Sequence, residues 1–211
     1  MLVLGVDTSL PLLSVALLRE GALIGAVALE GKDSRNEKLL PAVDWLLSES
    51  GVDRHAIDLF AVTRGPGSFT GVRIGLATVQ GMALALDRPV CAMSTHEAIA
   101  SSVWVPASAG TPRAEGRGHT VVADDAGRGE FYVSRFENGI EVEAPHLARE
   151  IDAAALRVAD FLQRENVAAC CARHAAAIAE AGDLARYSDI TPIYVRLAEA
   201  EVKLQQRSGA R

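Results

Sequence analysis

One stretch of the sequence decides the fold: Gly65-Pro66-Gly67-Ser68-Phe69-Thr70-Gly71-Val72-Arg73-Ile74-Gly75. Just before it, residues 59–63 form a short and mostly apolar run, which predicts a short buried strand. After it, the chain has no helix breaker up to Leu86 except isolated glycines, which predicts a long helix. The stretch is therefore expected to be a glycine-rich loop between a strand and a helix, with Ser68 or Thr70 capping the first helical turn.

A glycine-rich loop before a helix can also hold a phosphate, because its backbone N–H groups and the positive helix end attract anions. Two phosphate-binding patterns nevertheless fail here. The P-loop pattern requires Gly-Lys after four spacers, and the chain has Thr70-Gly71 at that place. The dinucleotide pattern also breaks at Thr70. We favour a capped structural turn, and a phosphate cradle stays as the alternative.

The segments around this loop predict an α/β protein with two lobes. Residues 1–105 are expected to form an N-terminal lobe with strands at 2–7, 12–18, 22–29 and 90–93 and a helix at 35–50. Residues 106–211 are expected to form a smaller lobe with strands at 120–124 and 130–136, a third strand after Asn138-Gly139, and helices at 152–165 and 172–181. The boundary is a stretch rich in Gly, Ala, Ser and Pro, at 106–118. Mixed sheets flanked by helices in two lobes fit the actin-like, Hsp70-like ATPase fold, which is ribonuclease H-like.

Composition sets limits on the function. The chain has 211 residues, 49% of them hydrophobic, which is enough for a core without metals or disulfides. Its three cysteines are expected to be core thiols of a reducing compartment. No basic leader and no uncharged apolar run of bilayer length is apparent, so we expect a cytoplasmic protein that does not enter a membrane. The formal net charge of −6 predicts poor binding of tRNA by this chain alone.

Several segments occur in the order typical of one family. Beside the loop at 65–75, they are LVLGVDTS at 2–9, NEKLLP at 36–41, DAGRGEFY at 125–132 and PIYVR at 192–196. The chain resembles the TsaB family, also called YeaZ, whose members take part in forming threonylcarbamoyladenosine on bacterial tRNA. The resemblance covers most of the first 140 residues and a short piece near the C-terminus, and the loop is its most specific part.

The resemblance implies a non-catalytic subunit. In that family TsaB pairs with TsaD, which holds the nucleotide, the metal and the acyl-transfer site, and the ATPase TsaE joins the pair. It follows that this chain is expected to have a TsaD-like and a TsaE-like partner, to meet tRNA only through the complex, and to carry no catalytic residue, cofactor or metal of its own. Whether the isolated chain forms a homodimer stays open.

Two enzymatic alternatives remain to be weighed. A small-molecule kinase or ATPase of the same fold would use a phosphate loop after the first strand, but Asp7-Thr8-Ser9 has no glycine there. An acidic strand end that caps the neighbouring turn is the favoured interpretation of Asp7. A metallo-glycopeptidase would need paired histidines, and no two of the five histidines stand three to five residues apart. We expect the histidines to be surface or capping residues.

The two helices beside the loop are the expected partner surface. The helix after the loop is apolar or small nearly all round, so a second body should cover its outer side. The preceding helix has an apolar arc, yet Trp45 points to its polar side, as an interface residue would. The interface is predicted to include Leu39, Val43, Trp45, Leu46, Gly71, Gly75, Ala77, Thr78 and Met82.

Overall fold

The structure, a computed structural model, describes residues 1–30, 35–103 and 119–196. Its strands are β1 Leu2–Asp7, β2 Leu12–Arg19, β3 Ala22–Glu30, β4 Leu59–Thr63, β5 Val90–Met93, β6 His119–Gly127, β7 Glu130–Glu137, β8 Ile140–Ala148 and β9 Leu156–Arg157. Its helices are α1 Arg35–Glu49, α2 Phe69–Leu86, α3 Thr95–Val103, α4 Val158–Phe161 and α5 Val167–Glu180, with 3-10 turns at Arg54–Ala56 and Leu184–Tyr187.

The first sheet has five strands in the order β3-β2-β1-β4-β5. Strands β1 to β3 form an antiparallel meander, and β4 and β5 run parallel to β1, each reached through a helical crossover. An antiparallel meander whose sheet continues beside β1 with parallel strands is the arrangement of the ribonuclease H-like, actin-like fold. The predicted fold class of mixed sheets flanked by helices is confirmed.

Helices cover this sheet on both faces because its central strands are apolar at successive positions. One face packs against α1 and α2, in a core that includes Leu4, Val62 and Val79. The other face packs against α5 and α3, in a core that includes Ala61 and Cys171. Most of the buried polar residues that the structure describes lie near the ends of β1 and β4 and the start of α3, which is beside the glycine loop.

The second sheet has the order β8-β7-β6-β9, with β9 parallel to β6 and the other pairs antiparallel. Helix α3 lies between α5 and β6, so the core under α5 continues to Val122 and Phe136 of the second sheet. The predicted lobe boundary at residues 105 and 106, and the stretch 106–118, lie outside the described residues. The division into two lobes stays a prediction.

Helix α2 begins at Phe69, because the Ser68 side chain caps it by accepting a hydrogen bond from the Gly71 amide. Two other helix predictions differ from the structure. Helix α5 begins at Val167 rather than Ala172, with Asn166 as its cap. The helix expected at 152–165 is wrong for most of its length: Leu156–Arg157 pair with β6 as β9, and only Val158–Phe161 is helical. Strand pairing outweighs the helix propensity of the alanines there.

Candidate functional site

The glycine loop packs against the turn that follows β1. The Thr8 hydroxyl donates a hydrogen bond to the Gly71 carbonyl at 2.6 Å, and the Ser68 amide donates one to the Ser9 carbonyl at 2.7 Å. A Cβ atom on Gly67 would lie 2.3 Å from the Ser9 carbonyl oxygen, and one on Gly71 would lie 2.0 Å from that of Thr8. The glycines are therefore needed for close approach of two backbones.

Three of the amide donors at the start of α2 are used within the chain. The Ser68 amide is taken by Ser9, and the Gly71 amide donates to the Ser68 side chain at 3.2 Å. The Val72 amide donates to the Ser68 carbonyl, as in an ordinary first helical turn. This arrangement is the capped structural turn favoured from the sequence, with Ser68 rather than Thr70 as the cap.

Asp7, the last residue of β1, is fully buried and accepts hydrogen bonds from the turn after β1 and from the end of β4. Its Oδ1 accepts hydrogen bonds from the Ser9 amide at 3.2 Å, from the Ser9 hydroxyl at 2.6 Å and from the Thr63 hydroxyl. Its Oδ2 has no partner among the described residues. Burial raises the pKa of Asp7, while the hydrogen bonds from Ser9 and Thr63 lower it in part. The expected role of Asp7 as a cap for its own turn is confirmed.

A cleft of about 770 Å³ lies between the glycine loop and the second sheet. Its lining is more apolar than polar, and its polar members include Ser9, Glu30, Ser68, Asp124, Asp125 and Tyr132. Burial raises the pKa of Asp124 to about 6, and the nearby Asp125 and Asp7 carboxylates add to this. The cleft carries negative charge, which disfavours a phosphate group there.

Helix α2 exposes small and apolar residues on its outer face beside the polar Arg73 and Gln80. It is long and apolar enough, with mean hydropathy 1.3, to cross a membrane by length and composition, and 33% of it is buried in the molecule. Because the helix contains Arg73, it does not contradict the expectation that no uncharged apolar run reaches bilayer length, and core helices of soluble proteins pass the same test. Leu84 is 86% exposed, and Ala77 and Gly81 also lie on the outer face. On the adjacent helix α1, Trp45 is 56% exposed.

The structure divides the predicted interface residues into two groups. Leu39, Val43 and Leu46 are at most 3% exposed and belong to the core between α1 and the sheet. Gly71 and Gly75 are buried against Thr8. These five residues pack inside the chain because the apolar arc of α1 and the glycine line of α2 face the sheet. The outer group consists of the exposed Trp45 and Ala77 and the half-buried Thr78 and Met82.

Near the loop, Arg73 lies beside two aromatic rings. Its guanidinium carbon is 3.9 Å from the centre of the Phe69 ring, and its Nε donates to the Tyr194 hydroxyl at 2.6 Å. Tyr194 belongs to the PIYVR segment, which sequence reasoning did not connect with the loop. The sequence offered one signal that links the two segments, which is that both belong to the set of segments that carries the family resemblance.

The remaining candidate groups lie apart from this surface. His96 is fully buried with its Nδ1 2.8 Å from the Ser134 hydroxyl, and burial lowers its pKa to about 3, so the expectation of surface histidines is wrong there. The three cysteines are buried free thiols, as predicted. Within residues 1–30, 35–103 and 119–196, no three His, Cys, Asp or Glu side chains stand together as a metal site would require.

Comparison with known proteins gives consistent matches. A model of the TsaD family, tRNA N6-adenosine threonylcarbamoyltransferase, matches residues 29–192. The Escherichia coli tRNA threonylcarbamoyladenosine biosynthesis protein TsaB is 36% identical over 143 residues, which cover 66% of this chain and 58% of that protein. A tRNA N6-adenosine threonylcarbamoyltransferase of Thermus thermophilus is 34% identical over 119 residues, covering 49% of this chain and 37% of the relative.

Among solved structures, YeaZ from Pseudomonas aeruginosa superposes with a TM-score of 0.69 at 30% identity. The match covers 92% of this chain and 99% of the YeaZ chain. The chain spans about half the length of the curated relatives that it matches.

Proposed function

The chain belongs to the TsaB (YeaZ) family, and we propose that it is a non-catalytic subunit in the formation of threonylcarbamoyladenosine on tRNA. It pairs with a TsaD-like protein, which carries the nucleotide, the metal and the threonylcarbamoyl transfer, and a TsaE-like ATPase joins the pair. This division of labour would place the chain in the cytoplasm with its tRNA substrate.

The outer face of α2 is the observation that carries the proposal. A helix that covers one face of a sheet needs a single apolar stripe, and the opposite side is normally polar. Here Leu84 is 86% exposed and small residues, Ala77 and Gly81, lie on the outer face. Small residues let a second helix approach closely, and large exposed apolar residues mark protein interfaces. Together with the exposed Arg73 and Gln80 at its side, the face is suited to a protein partner.

Helix α1 would extend this partner surface. It lies beside α2 on the same face of the sheet, and its residues Leu40 and Trp45 are 49% and 56% exposed. Tryptophan is among the residues that contribute most to binding at interfaces. We define the partner face by its exposed members, Leu40, Trp45, Ala77, Gly81 and Leu84, with the half-buried Thr78 and Met82 at its edge. The same face would serve a self-pair of the isolated chain.

The charge of the chain supports an indirect role with tRNA. A net charge of −6 gives little attraction to a phosphate backbone. We expect the purified chain alone not to shift tRNA in a gel at near-physiological salt, while its complex with the TsaD-like partner does. A strong, salt-sensitive shift by this chain alone would contradict the indirect role.

The size and position of the cleft leave a second candidate, a small-molecule kinase or ATPase of the same fold. The cleft lies beside the glycine loop and has room for a ligand. However, the Ser68 and Gly71 amides are already bonded within the chain, and Asp124 would repel a phosphate. We expect calorimetry with Mg-ATP to give no tight stoichiometric binding, and such binding would favour the kinase.

The test of the partner face uses charge on exposed positions. Trp45→Glu and Ala77→Glu are made separately, and Ile140→Glu, at a 70% exposed position on β8 of the other sheet, is the matched control. Circular dichroism checks folding, and light scattering and calorimetry measure association with the TsaD-like protein of the same organism. We expect the two face variants to stay folded and to lose at least tenfold in affinity, about 1.4 kcal/mol, with Ile140→Glu unchanged.

If both face variants fold and bind as the parent does, the interface lies elsewhere. If the parent chain binds no TsaD-like protein at all, the proposed function itself is wrong.

A further inference from the structure

Residues 189–196, called here the strap, return from α5 to the glycine loop. The Ile193 amide donates to the Arg64 carbonyl at 2.7 Å, at the end of β4. A Cβ atom on Gly65 would lie 2.8 Å from the Ile193 carbonyl oxygen, so the two backbones are in close contact. The Arg64 guanidinium donates to the Asp189 carboxylate and to the Thr191 carbonyl, both at 3.2 Å. The strap thus pairs with the first residues of the loop.

The middle of the strap holds the first turn of α2. The Tyr194 ring lies 4.7 Å from the Phe69 ring, and the Tyr194 hydroxyl accepts from Arg73 at 2.6 Å. The Arg73 guanidinium is therefore fixed beside two rings and one hydroxyl rather than free in solvent. Because Phe69 and Arg73 are one helical turn apart, a single strap residue orients both.

The far end of the strap reaches the second sheet. Arg196 donates to the Ala126 carbonyl at 2.9 Å and forms an ion pair with Glu130, so it bridges the two ends of the β6–β7 hairpin turn. The hydrogen bonds and the ion pair found for Arg196 among the described residues all go to this hairpin turn. One short segment therefore connects the hairpin with the glycine loop.

Ile190 at the start of the strap packs against the core of α1 and α2, whereas the contacts of its other residues are mostly polar and partly exposed. The Asp189 side chain is 63% exposed, Tyr194 is 38% exposed, and the Arg196 side chain is 27% exposed. Segments with few buried apolar contacts open at a lower free energy than the core does. The contacts of the strap extend from the glycine loop to the β6–β7 hairpin. They can break without unfolding either sheet.

We propose that the strap is a releasable latch that couples the β6–β7 hairpin to the glycine loop and the first turn of α2. In the closed form, Ile193 and Tyr194 fix the loop and Arg73. When Arg196 leaves the hairpin, the strap lifts, the loop loses its backbone partner, and Arg73 becomes mobile. A ligand or partner that engages Glu130 would open the latch, and one that binds over Tyr194 would keep it closed. The latch is a property of the isolated chain and does not depend on the proposed function.

The test is amide hydrogen exchange in the full chain with Arg196→Ala. This change removes contacts only at the hairpin, yet the latch predicts faster exchange at the loop. We expect about tenfold faster exchange of the Ile193 amide and about threefold faster exchange of the Ser68 amide, with β4 amides unchanged. Arg149→Ala is the matched control, since Arg149 lies 3.8 Å from the same Glu130 without touching the strap. It should leave the loop amides as they are.

A second variant approaches the latch from the other end. Tyr194→Ala should raise exchange at Ser68 and also free the hairpin, seen as faster exchange of the Gly127 amide. Faster exchange at Ile193 with no change at Ser68 in Arg196→Ala would overturn the coupling. An equal rise at all amides, β4 included, would also overturn it, because it would show global destabilisation instead of a latch.

Discussion

Helices α5 and α2 cover opposite faces of the five-stranded sheet, and both are rich in small and apolar residues. Most of α5 is buried, because α3 packs against it on the side that the first sheet leaves open. Only 33% of α2 is buried, and Ala77, Gly81 and Leu84 on its outer side are exposed. Small and apolar residues therefore serve internal packing in α5, whereas in α2 many of them remain exposed.

The glycines on the two faces make this difference concrete. A Cβ atom on Gly5 of β1 would lie 2.2 Å from the Ala168 carbonyl oxygen and 2.9 Å from Cβ of Ala172, both in α5. A Cβ atom on Gly81 of α2 would have no atom within 4 Å. Packing within the chain requires a very small residue at Gly5, under α5. It sets no such requirement at Gly81. The comparison predicts opposite effects for the same substitution at the two sites.

The largest effect is expected for Gly5→Ala. The added methyl group would overlap a backbone carbonyl that is fixed in α5, so β1 and α5 must separate. We expect a loss of about 3 kcal/mol in the free energy of unfolding, measured by urea denaturation. A loss below about 1 kcal/mol would mean that α5 is loosely held and would remove the contrast between the two faces.

A smaller effect separates the two sides of α2 itself. Val79→Ala removes two methyl groups at a fully buried position, and we expect a loss of about 2 kcal/mol by the same measurement. Leu84→Ala removes more side chain at a position that is 86% exposed, and we expect a change within about 0.5 kcal/mol. Equal losses for the two variants would show that Leu84 is covered in solution, for instance by a second copy of the chain.

The sequence predicts much of the first sheet because local patterns determine it. The bounds of β1, β4 and β5 follow from short apolar runs, and the loop follows from its glycines and the Ser68 cap. Periodicity also separates Trp45 from the apolar arc of α1. It does not say which face is covered by the chain itself, so Leu39 and Val43 were expected at a partner surface and lie in the core.

Long-range contacts explain what the sequence could not predict. The pairing of Leu156 with Val122 has no local signal, and it replaces the helix expected from the alanines around it. His96 is buried because α3 lies between the two sheets, which a pattern within one helix does not reveal. The contact between Ile193 and Arg64 spans most of the chain and leaves no trace in either segment's composition.

On the enclosed side, ionisable groups are buried and paired, which predicts a pH effect. Glu97 of α3 accepts hydrogen bonds from the Tyr187 hydroxyl at 2.8 Å and from His174 of α5 at 3.3 Å. Burial raises the pKa of Glu97, but the bonds from His174 and Tyr187 lower it more, so the pKa lies below its ordinary value of 4.5. A carboxylate with a lowered pKa adds stability above its ordinary pKa, and that stability is lost as the pH falls through the lowered value.

Glu97→Gln is therefore expected to cost about 1 kcal/mol at pH 7, and the cost should shrink below pH 4.5 as the parent carboxylate is protonated. Urea denaturation at several pH values measures both. Glu49→Gln on the exposed side of α1 is the control and should change little at any pH. A cost for Glu97→Gln that does not vary with pH would assign the effect to packing rather than to charge.

The smallest effect is expected for Gly81→Ala, and it separates stability from association. Alanine has the higher helix propensity and the added methyl group meets no atom within 4 Å, so the free energy of unfolding should rise by about 0.5 to 1 kcal/mol. If a partner helix packs closely on the small residues of α2, the same methyl group lies in its path and should weaken binding to the TsaD-like protein several-fold. Denaturation and calorimetry on one variant measure the two effects separately. A chain that gains stability and keeps its full affinity would show that Gly81 faces solvent in the complex as well, and would limit the partner face to Trp45, Ala77 and their neighbours.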